Sequence, residues 1–299
     1  MQLGHDVTRF DILRLNSELI AICSFHLHRD APEFSSWKAL GRHHIVLPRT
    51  SMYLQQENRS VFVADPLMAT LHNPGVAFRR GVVAEHDDES DYLIIDDSAV
   101  EEIAAEIEVP RGRRDEAYRF PAAQAGLSDG LYAQAVALFA SAAKNACPPL
   151  RLEEQALRFV ARVVERAHGM DRPTNRAIRM GAERSSRLDV VARAKRFIAE
   201  RADQSPSLAD IARGAHSSPF HLTRLFRQRT GLSLHQYVMA YKLRRSLWQL
   251  ERYDGRLAHL AAAMGFSDLP HFSRQFQRAF GLSPRAFLRR GAVLAEERG

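Results

Sequence analysis

Cysteine is scarce in this chain of 299 residues, which contains only two, Cys23 and Cys147. Two thiols so far apart do not make a disulfide framework, so a disulfide-stapled secreted fold is excluded and a reducing compartment is expected. Long apolar runs are missing too. No stretch of about eighteen apolar residues occurs, and Met1–Phe10 lacks the apolar core of a signal peptide. We therefore expect a soluble, cytoplasmic protein with no membrane partner.

Catalytic motifs are also lacking. The sequence contains no nucleophile–base constellation and no glycine-rich loop that would cradle a phosphate. We predict that the protein is not an enzyme, with no catalytic residues and no cofactor.

Charge is unevenly distributed along the chain. Residues 187–299 contain 20 Lys and Arg against 9 Asp and Glu, a formal charge of +11, whereas residues 1–186 contain 22 against 26, a charge of −4. A basic surface attracts phosphate and an acidic one repels it, so a nucleic-acid partner is expected only for the C-terminal part. The length and the ordinary content of 45% hydrophobic residues indicate two globular domains.

The C-terminal part contains one pattern twice. SSPFHLTRLFRQRTGLS at Ser217–Ser233 aligns with SDLPHFSRQFQRAFGLS at Ser267–Ser283 at an offset of fifty residues. Apolar residues recur at helical spacing in each copy, and Gly231 and Gly281 fit a left-handed helix cap. The predicted N-terminal caps are Ser217 or Ser218 in the first copy and Ser267 in the second. One supersecondary unit used twice is therefore predicted.

A second short helix is predicted before each copy. Leu208–Ala215 and Leu257–Met264 are both amphipathic, and Ala212 and Ala262 are placed at the same offset. Two short helices joined by a brief turn form a helix-turn-helix. The helix predicted between the two units, Leu234–Arg252, has nineteen residues and is roughly 28 Å long at ~1.5 Å per residue. Successive major grooves on one face of B-DNA lie ~34 Å apart, so this helix can hold two recognition helices near one DNA turn apart.

Each second helix carries polar residues opposite its apolar stripe. Such residues can hydrogen-bond guanine or adenine edges or contact phosphate. A solvated basic face is the simpler interpretation for one such helix alone. However, Arg224 and Arg274 recur at the same position one turn past the cap, where a recognition helix meets base edges. We predict base contacts for both arginines and assign Phe226 and Phe276 to the core.

Residues 186–290 resemble the DNA-binding domain of the AraC/XylS family of bacterial transcription regulators. The resemblance lies in Met264–Asp268, His271–Phe276, Phe280–Pro284 and Phe287, supported by Leu208–Ala212. It implies two helix-turn-helix units that read adjacent major grooves of double-stranded DNA. The base-reading positions that it implies are Phe220, Thr223, Arg224, Pro270, His271 and Arg274. With the other polar residues of these helices, the candidate DNA contacts are Phe220, His221, Thr223, Arg224, Arg227, Pro270, His271, Ser273, Arg274 and Arg278.

Two positions depart from the family pattern. Pro270 replaces a polar residue often found there, which leaves that position to shape or apolar contact. Ala215-His216 replaces the usual glycine of the first turn, so weaker DNA reading is expected from the first unit.

Residues ~10–95 are predicted to form short strands separated by Pro, Gly, Asn and Asp clusters. The strands are Leu19–Phe25, His44–Leu47, Ser51–Gln55, Ser60–Val63, Met68–His72 and Tyr92–Ile95. Many short strands without helices between them predict a sandwich or barrel. His43–Arg49, Ala64–Pro66, His72–Gly75 and Phe78-Arg79 resemble the cupin-like sensory domain that often precedes an AraC-type DNA-binding domain. This resemblance implies a small-molecule effector of unknown identity.

Histidines in this region raise the question of a metal. His26 and His28 with Glu33 echo the His-x-His…Glu spacing of metal-binding cupins, and a second possible cluster is Cys23, His43, His44, His72 and His86. No histidine follows Pro74-Gly75 to complete the first set. Ordinary strand-face histidines are the better interpretation, and we predict no metal site.

The apolar period changes from that of strands to that of helices at Ser98. A helix from Ser98 is followed by a basic loop, Arg111–Arg114, and by helices at Ser128–Asn145 and Leu152–His168, interpreted as an antiparallel pair. This pair packs on the barrel or forms a dimer interface, and the sequence leaves both alternatives open. Gly169–Arg187 is arginine-rich and weakly periodic, as in an interdomain linker.

The predicted fold class is α+β. It combines an N-terminal cupin-like β-barrel or sandwich with a trailing helix pair and a C-terminal all-α domain of two helix-turn-helix units joined by a long helix. The predicted domains are a sensory or dimerisation domain at 1–170, with helices at 98–168, a linker at 171–187, and a DNA-binding domain at 188–290.

The predicted function is sequence-specific transcription regulation, with the N-terminal domain sensing a ligand. An activator that contacts RNA polymerase is expected, with activation and repression both left open by the sequence, and a homodimer is a further expectation. Two alternatives stay open at this point: a cupin-like metalloprotein or enzyme with a DNA-binding module, and an architectural DNA binder without a sensory role.

Overall fold

A computed structural model describes residues 10–107, 117–169, 189–253 and 255–289. The chain divides into two compact units, the first comprising Met1–Leu127 and Pro148–Ser186 and the second Ser128–Cys147 and Arg187–Gly299. The predicted basic loop at 111–114, the linker at 171–187 and the tail after Arg290 lie outside the described residues. No helix in the described part is both long enough and apolar enough to cross a membrane.

The first unit is built on antiparallel strands. They are β1 Asp11–Asn16, β2 Ile20–Leu27, β3 His43–Pro48, β4 Met52–Gln56, β5 Phe62–Ala64, β6 Met68–His72, β7 Phe78–Val82, β8 Asp88–Ile95 and β9 Gln124–Gly126. One sheet has the order β1-β2-β8-β3-β6-β9, and the other has the order β5-β4-β7. The described strands thus form two sheets rather than one closed barrel, which is the sandwich alternative of the prediction.

The core of the large sheet lies in β2 and β8. Successive side chains of a strand point to opposite faces, and Ile20–Cys23 are all fully buried, so β2 is covered on both sides. On one face, Ala21, Cys23 and Phe25 pack with Tyr92 and Ile94 of β8. Burial of this kind stabilises a fold by ~1.5–3 kcal/mol for each large apolar side chain. Both cysteines are buried and free.

Among the described residues, α1 Asp97–Glu106 follows β8, and α2 Asp129–Ala143 and α3 Pro149–Ala167 follow β9. The predicted helix from Ser98 is confirmed as α1, whose N-cap is Asp96. The two helices of the predicted pair, α2 and α3, belong to different compact units. α3 packs against β9, α1 and β2 in the first unit, whereas α2 packs against helices of the second unit.

The second unit adds six helices to α2. They are α4 Val190–Arg201, α5 Leu208–Gly214, α6 Pro219–Thr230, α7 Leu234–Gln249, α8 Leu257–Ala263 and α9 Leu269–Phe280, with a 3-10 turn at Ala202–Gln204. The pairs α5–α6 and α8–α9 are the two predicted helix-turn-helix units, and α7 joins them. α7 has sixteen residues and is therefore about 24 Å long, somewhat shorter than predicted.

Candidate functional site

The first helix-turn-helix unit is capped as its sequence predicts. Ser207 and Asp210 form a reciprocal capping box at the start of α5. Ser218 caps α6, where its hydroxyl accepts a hydrogen bond from the His221 backbone N–H at 3.3 Å. α6 ends at Gly231, whose φ of 74° places it in the left-handed region that glycine adopts without strain.

The second helix-turn-helix unit has one more residue in its turn than the first. Asp268, not the predicted Ser267, caps α9, and its carboxylate accepts from the His271 backbone N–H at 2.6 Å. The predicted equivalence of Ala212 and Ala262 is also wrong, because Ala212 is buried while Ala262 is exposed and Ala261 is the buried residue. The first helices therefore align at an offset one residue smaller than that of the recognition helices.

Each turn contains one residue with a left-handed backbone. It is His216 in the first unit, with φ 51°, and Gly265 in the second, with φ 70°. A Cβ on Gly265 would lie 2.0 Å from the Asp203 carbonyl oxygen, so glycine is required there. The Gly265 carbonyl accepts hydrogen bonds from Lys242 Nζ at 2.9 Å and from Ser205 Oγ at 2.8 Å. α7 thus stabilises the turn of the second helix-turn-helix unit through the buried Lys242.

The inward faces of α6 and α9 form the core of the second unit. Leu222 and Phe226 on α6, and Phe272 and Phe276 on α9, are fully buried. Phe226 packs edge-on against Tyr237 of α7 at 5.0 Å between ring centroids. The assignment of Phe226 and Phe276 to the core is confirmed, and both recognition helices rest on the same central helix, α7.

The outward faces carry every candidate DNA contact. Phe220, His221, Thr223, Arg224 and Arg227 on α6 are exposed, as are Pro270, Arg274 and Arg278 on α9, while His271 and Ser273 are half-buried. Phe220 is 82% exposed, which is unusual for a large apolar side chain. His271 is half-covered because its ring packs against Phe266 at 5.5 Å.

The guanidinium groups of the four arginines on these faces are available to bind an anion. Among the described residues, no carboxylate forms an ion pair with Arg224, Arg227, Arg274 or Arg278. Asp268 is the nearest acidic influence on α9. Its pKa is lowered first by the hydrogen bond from the His271 backbone and further by the positive charge of Arg274. Guanidinium groups that are exposed and unpaired can bind phosphate or pair with a guanine edge.

Helix α2 is an additional component of the second unit. Arg244 of α7 is buried and donates from Nε and Nη2 to Asp129 Oδ1 at 3.0 and 2.7 Å. Its guanidinium lies over the Tyr132 ring at 4.9 Å, and Trp248 Nε1 donates to the Tyr132 hydroxyl at 2.8 Å. α2 also packs against the recognition helix α9. Sequence reasoning missed this contact because the Arg244–Asp129 partners are 115 residues apart.

The histidines of the first unit lie in different parts of its structure. His44 on β3 and His72 on β6 are cross-strand partners and line a cavity of about 80 Å³. Burial lowers the pKa of His72 to about 3. His43 faces elsewhere, with Nδ1 at 2.8 Å from Asp97 Oδ1 and Nε2 at 3.1 Å from the Tyr118 carbonyl oxygen. Of the predicted histidine cluster, therefore, the structure brings His44 and His72 together and leaves His43 apart.

The His26–His28 pattern engages Asp87 rather than Glu33. His26 Nε2 lies 3.0 Å from one Asp87 carboxylate oxygen and His28 Nε2 lies 3.8 Å from the other, and both imidazoles are exposed. In the part of the chain that the structure describes, no three His, Cys, Asp or Glu side chains are grouped as metal ligands.

Two capped helix-turn-helix units with outward basic faces define a DNA-binding module. A family described as a helix-turn-helix domain matches residues 211–290. The Msm operon regulatory protein of Streptococcus mutans is 33% identical over 103 residues, which is 34% of this chain and 37% of that protein. The transcriptional activator RhaS of Pectobacterium carotovorum is 37% identical over 76 residues, 25% of this chain and 27% of that protein. The C-terminal segment is thus a helix-turn-helix domain of the AraC/XylS type, as predicted.

These similarities cover only part of each relative. The aligned segments span 37% and 27% of the two proteins' own lengths. Among solved structures, ToxT from Vibrio cholerae covers 91% of this chain and 98% of its own, at 10% identity and a TM-score of 0.35.

Proposed function

We propose that this protein is a sequence-specific transcription regulator whose helices α6 and α9 read adjacent major grooves of one duplex. The observation that carries the proposal is the matched pair Arg224 and Arg274. Both are exposed, both lack an ion-pair partner in the described structure, and both lie in the second turn of a recognition helix, at the same distance from its cap. Phosphate contacts supply salt-dependent affinity, and base-edge contacts of this kind supply discrimination between sequences.

The remaining roles follow from this proposal. Residues 1–170 sense a small molecule, residues 171–187 link the domains, and residues 188–290 bind DNA, with α2 lending additional support to the DNA-binding helices. RhaS is named a transcriptional activator, which supports the proposal that this regulator is an activator. Contact with RNA polymerase and a cytoplasmic location are further parts of the proposal. The regulator acts without catalysis, and self-association into a homodimer completes the proposal.

The test begins with selection of bound duplexes by the full chain, followed by affinity measurements at one fixed salt concentration. Arg274→Ala should weaken binding to the selected site by ~1–3 kcal/mol and relax the preference at one position. Arg224→Ala should relax the preference at another position, about one helical turn away.

Arg158→Ala is the charge-matched control, because Arg158 is exposed on α3 and its ion pair in the described part of the chain is with Glu154 of the same helix. Its effect on affinity should be small. If Arg274→Ala weakened binding to random duplex as much as to the selected site, Arg274 would be a phosphate contact and the assigned base reading would be wrong.

A further inference from the structure

The two sheets of the first unit enclose a cavity with a mostly apolar wall. Phe25, Val46, Leu54 and Phe78 contribute to it from both sheets, together with His44 and His72. Its volume of about 80 Å³ is roughly half that of an engineered ~150 Å³ cavity that binds benzene. The occupant that fits is therefore a small molecule.

Arg80 gives the cavity one strongly polar end. Its guanidinium lies 4.4 Å from the centroid of the Phe25 ring and 5.6 Å from that of Phe78. Nε pairs with the buried carboxylate of Asp88 at 3.1 Å, whereas Nη1 is buried without a hydrogen-bond partner. A buried N–H left without a partner is unfavourable, so an acceptor placed against Nη1 would be stabilised.

Lys38 brings a second positive charge to the same cavity. No carboxylate of the described residues lies within ion-pair distance of its ammonium group. Burial lowers the pKa of Lys38, and the charge of Arg80 lowers it further, while the charges of Glu33, Asp11 and Asp88 oppose this shift. Because Arg80 and Lys38 repel each other, an anion between them would relieve the repulsion.

The other polar groups of the cavity do not supply that anion. Burial keeps His72 neutral at physiological pH, since its pKa is lowered to about 3. Asp88 is already paired with Arg80, and Asp11 is the second acidic residue of the lining. The lining thus has two acidic and two basic side chains, but Asp88 is paired with Arg80 and Asp11 hydrogen-bonds Tyr92. The groups left to select a ligand are Arg80 Nη1, which lacks a partner, and Lys38, and both favour a carboxylate over an ammonium group.

We propose that this cavity binds a short-chain aliphatic carboxylate, which accepts a hydrogen bond from Arg80 Nη1, pairs with Lys38 and buries its alkyl chain among Phe25, Leu54 and Phe78. The inference rests on the proposed function, because it names the chemical class of the effector that the N-terminal domain senses.

The test uses the full chain and isothermal titration with butyrate, butyramide and butylamine, which share a chain length and differ in the head group. Butyrate should bind saturably with one site per chain. Butyramide should bind at least about tenfold more weakly, because a charge-assisted hydrogen bond is replaced by a neutral one. Butylamine should not bind. Absence of saturable butyrate binding, or equal binding of butyramide or butylamine, would overturn the proposal.

Variants then locate the binding. Lys38→Met should raise the butyrate dissociation constant about tenfold, since it removes a charge but breaks no ion pair. Arg80→Met is combined with Asp88→Asn so that no buried carboxylate is left unpaired, and the double variant should abolish binding. Arg79→Met is the matched control, because Arg79 lies on the same strand, is exposed and bonds Gln55 instead. An equal loss of butyrate affinity in Arg79→Met would mean that the binding site is not in this cavity.

DNA binding by the same preparations separates this inference from the function on which it rests. If the chain selects a duplex but binds no butyrate, the ligand class is wrong and the regulator proposal stands. If it binds butyrate but shows no sequence preference on DNA, the regulator proposal is the one that fails.

Discussion

The two turns of the helix-turn-helix units provide a matched substitution experiment. His216 and Gly265 occupy equivalent positions with left-handed backbones. A side chain in this conformation costs ~1–2 kcal/mol, while glycine loses ~0.5–1 kcal/mol more conformational freedom on folding. The His216 side chain is exposed, so its burial does not offset the strain, and His216→Gly should stabilise the second unit by ~0.5–1 kcal/mol.

Gly265→Ala should have the opposite effect, and a larger one. The same strain of ~1–2 kcal/mol applies, and the new Cβ would lie 2.0 Å from the Asp203 carbonyl oxygen. The backbone must move, which disturbs the hydrogen bonds from Lys242 and Ser205 to the Gly265 carbonyl. Overpacking of this kind costs ~1–3 kcal/mol, so we expect a total loss of ~2–5 kcal/mol.

Urea unfolding followed by Trp248 fluorescence measures both effects. The chain has two tryptophans, and a Trp37→Phe background leaves Trp248, which hydrogen-bonds Tyr132, as the reporter of the second unit. Shifts of opposite sign are expected. Destabilisation by His216→Gly, or tolerance of Gly265→Ala, would refute the equivalence of the two turns.

Two further predictions concern buried charge. His72 has a pKa of about 3 in the folded chain against 6.5 when unfolded, so its contribution to stability is complete above pH 6.5 and is lost as pH falls. The free energy of unfolding of the first unit should fall by ~2 kcal/mol between pH 7 and pH 5, as urea titrations followed by Trp37 fluorescence would measure. His72→Gln should remove this pH-dependent loss. An unchanged pH dependence in the variant would mean that folded His72 accepts a proton. Asp129→Ala should destabilise the second unit by ~1–3 kcal/mol, because it removes the carboxylate that pairs with the buried Arg244. Glu251→Ala breaks an exposed pair with Lys144 and should cost under ~1 kcal/mol in the same urea assay. Equal losses in the two variants would contradict the anchoring of α2.

Local signals account for what the sequence predicts well. The recognition helices are delimited by an N-terminal cap, an apolar stripe and a C-terminal glycine, all within a few residues of each other. Their positions were therefore readable before any tertiary contact was known. Ser267 and Asp268 are adjacent and both can cap a helix, so the sequence alone does not show that Asp268 is the cap of α9. The extra residue in the second turn does not change the repeat that is visible at Gly231 and Gly281.

Tertiary contacts account for what was missed. β1, β7 and β9 lack a clear alternation of apolar side chains, and β7 contains two arginines and a glycine. Because β7 was not predicted, Arg80 could not be placed beside His72 and Lys38. The docking of α2 on α7 joins residues that are far apart in the chain, and helical periodicity does not indicate which partner an apolar face will find.

The central claim is that one chain places two recognition helices into neighbouring major grooves of the same duplex. Hydroxyl-radical and methylation footprinting of the full chain on a selected duplex tests it most directly, with Arg224→Ala and Arg274→Ala measured in parallel. We predict two protected major-groove segments about one helical turn apart for each bound chain, with one segment weakened by each substitution. A single protected segment that both substitutions weaken equally would contradict the claim.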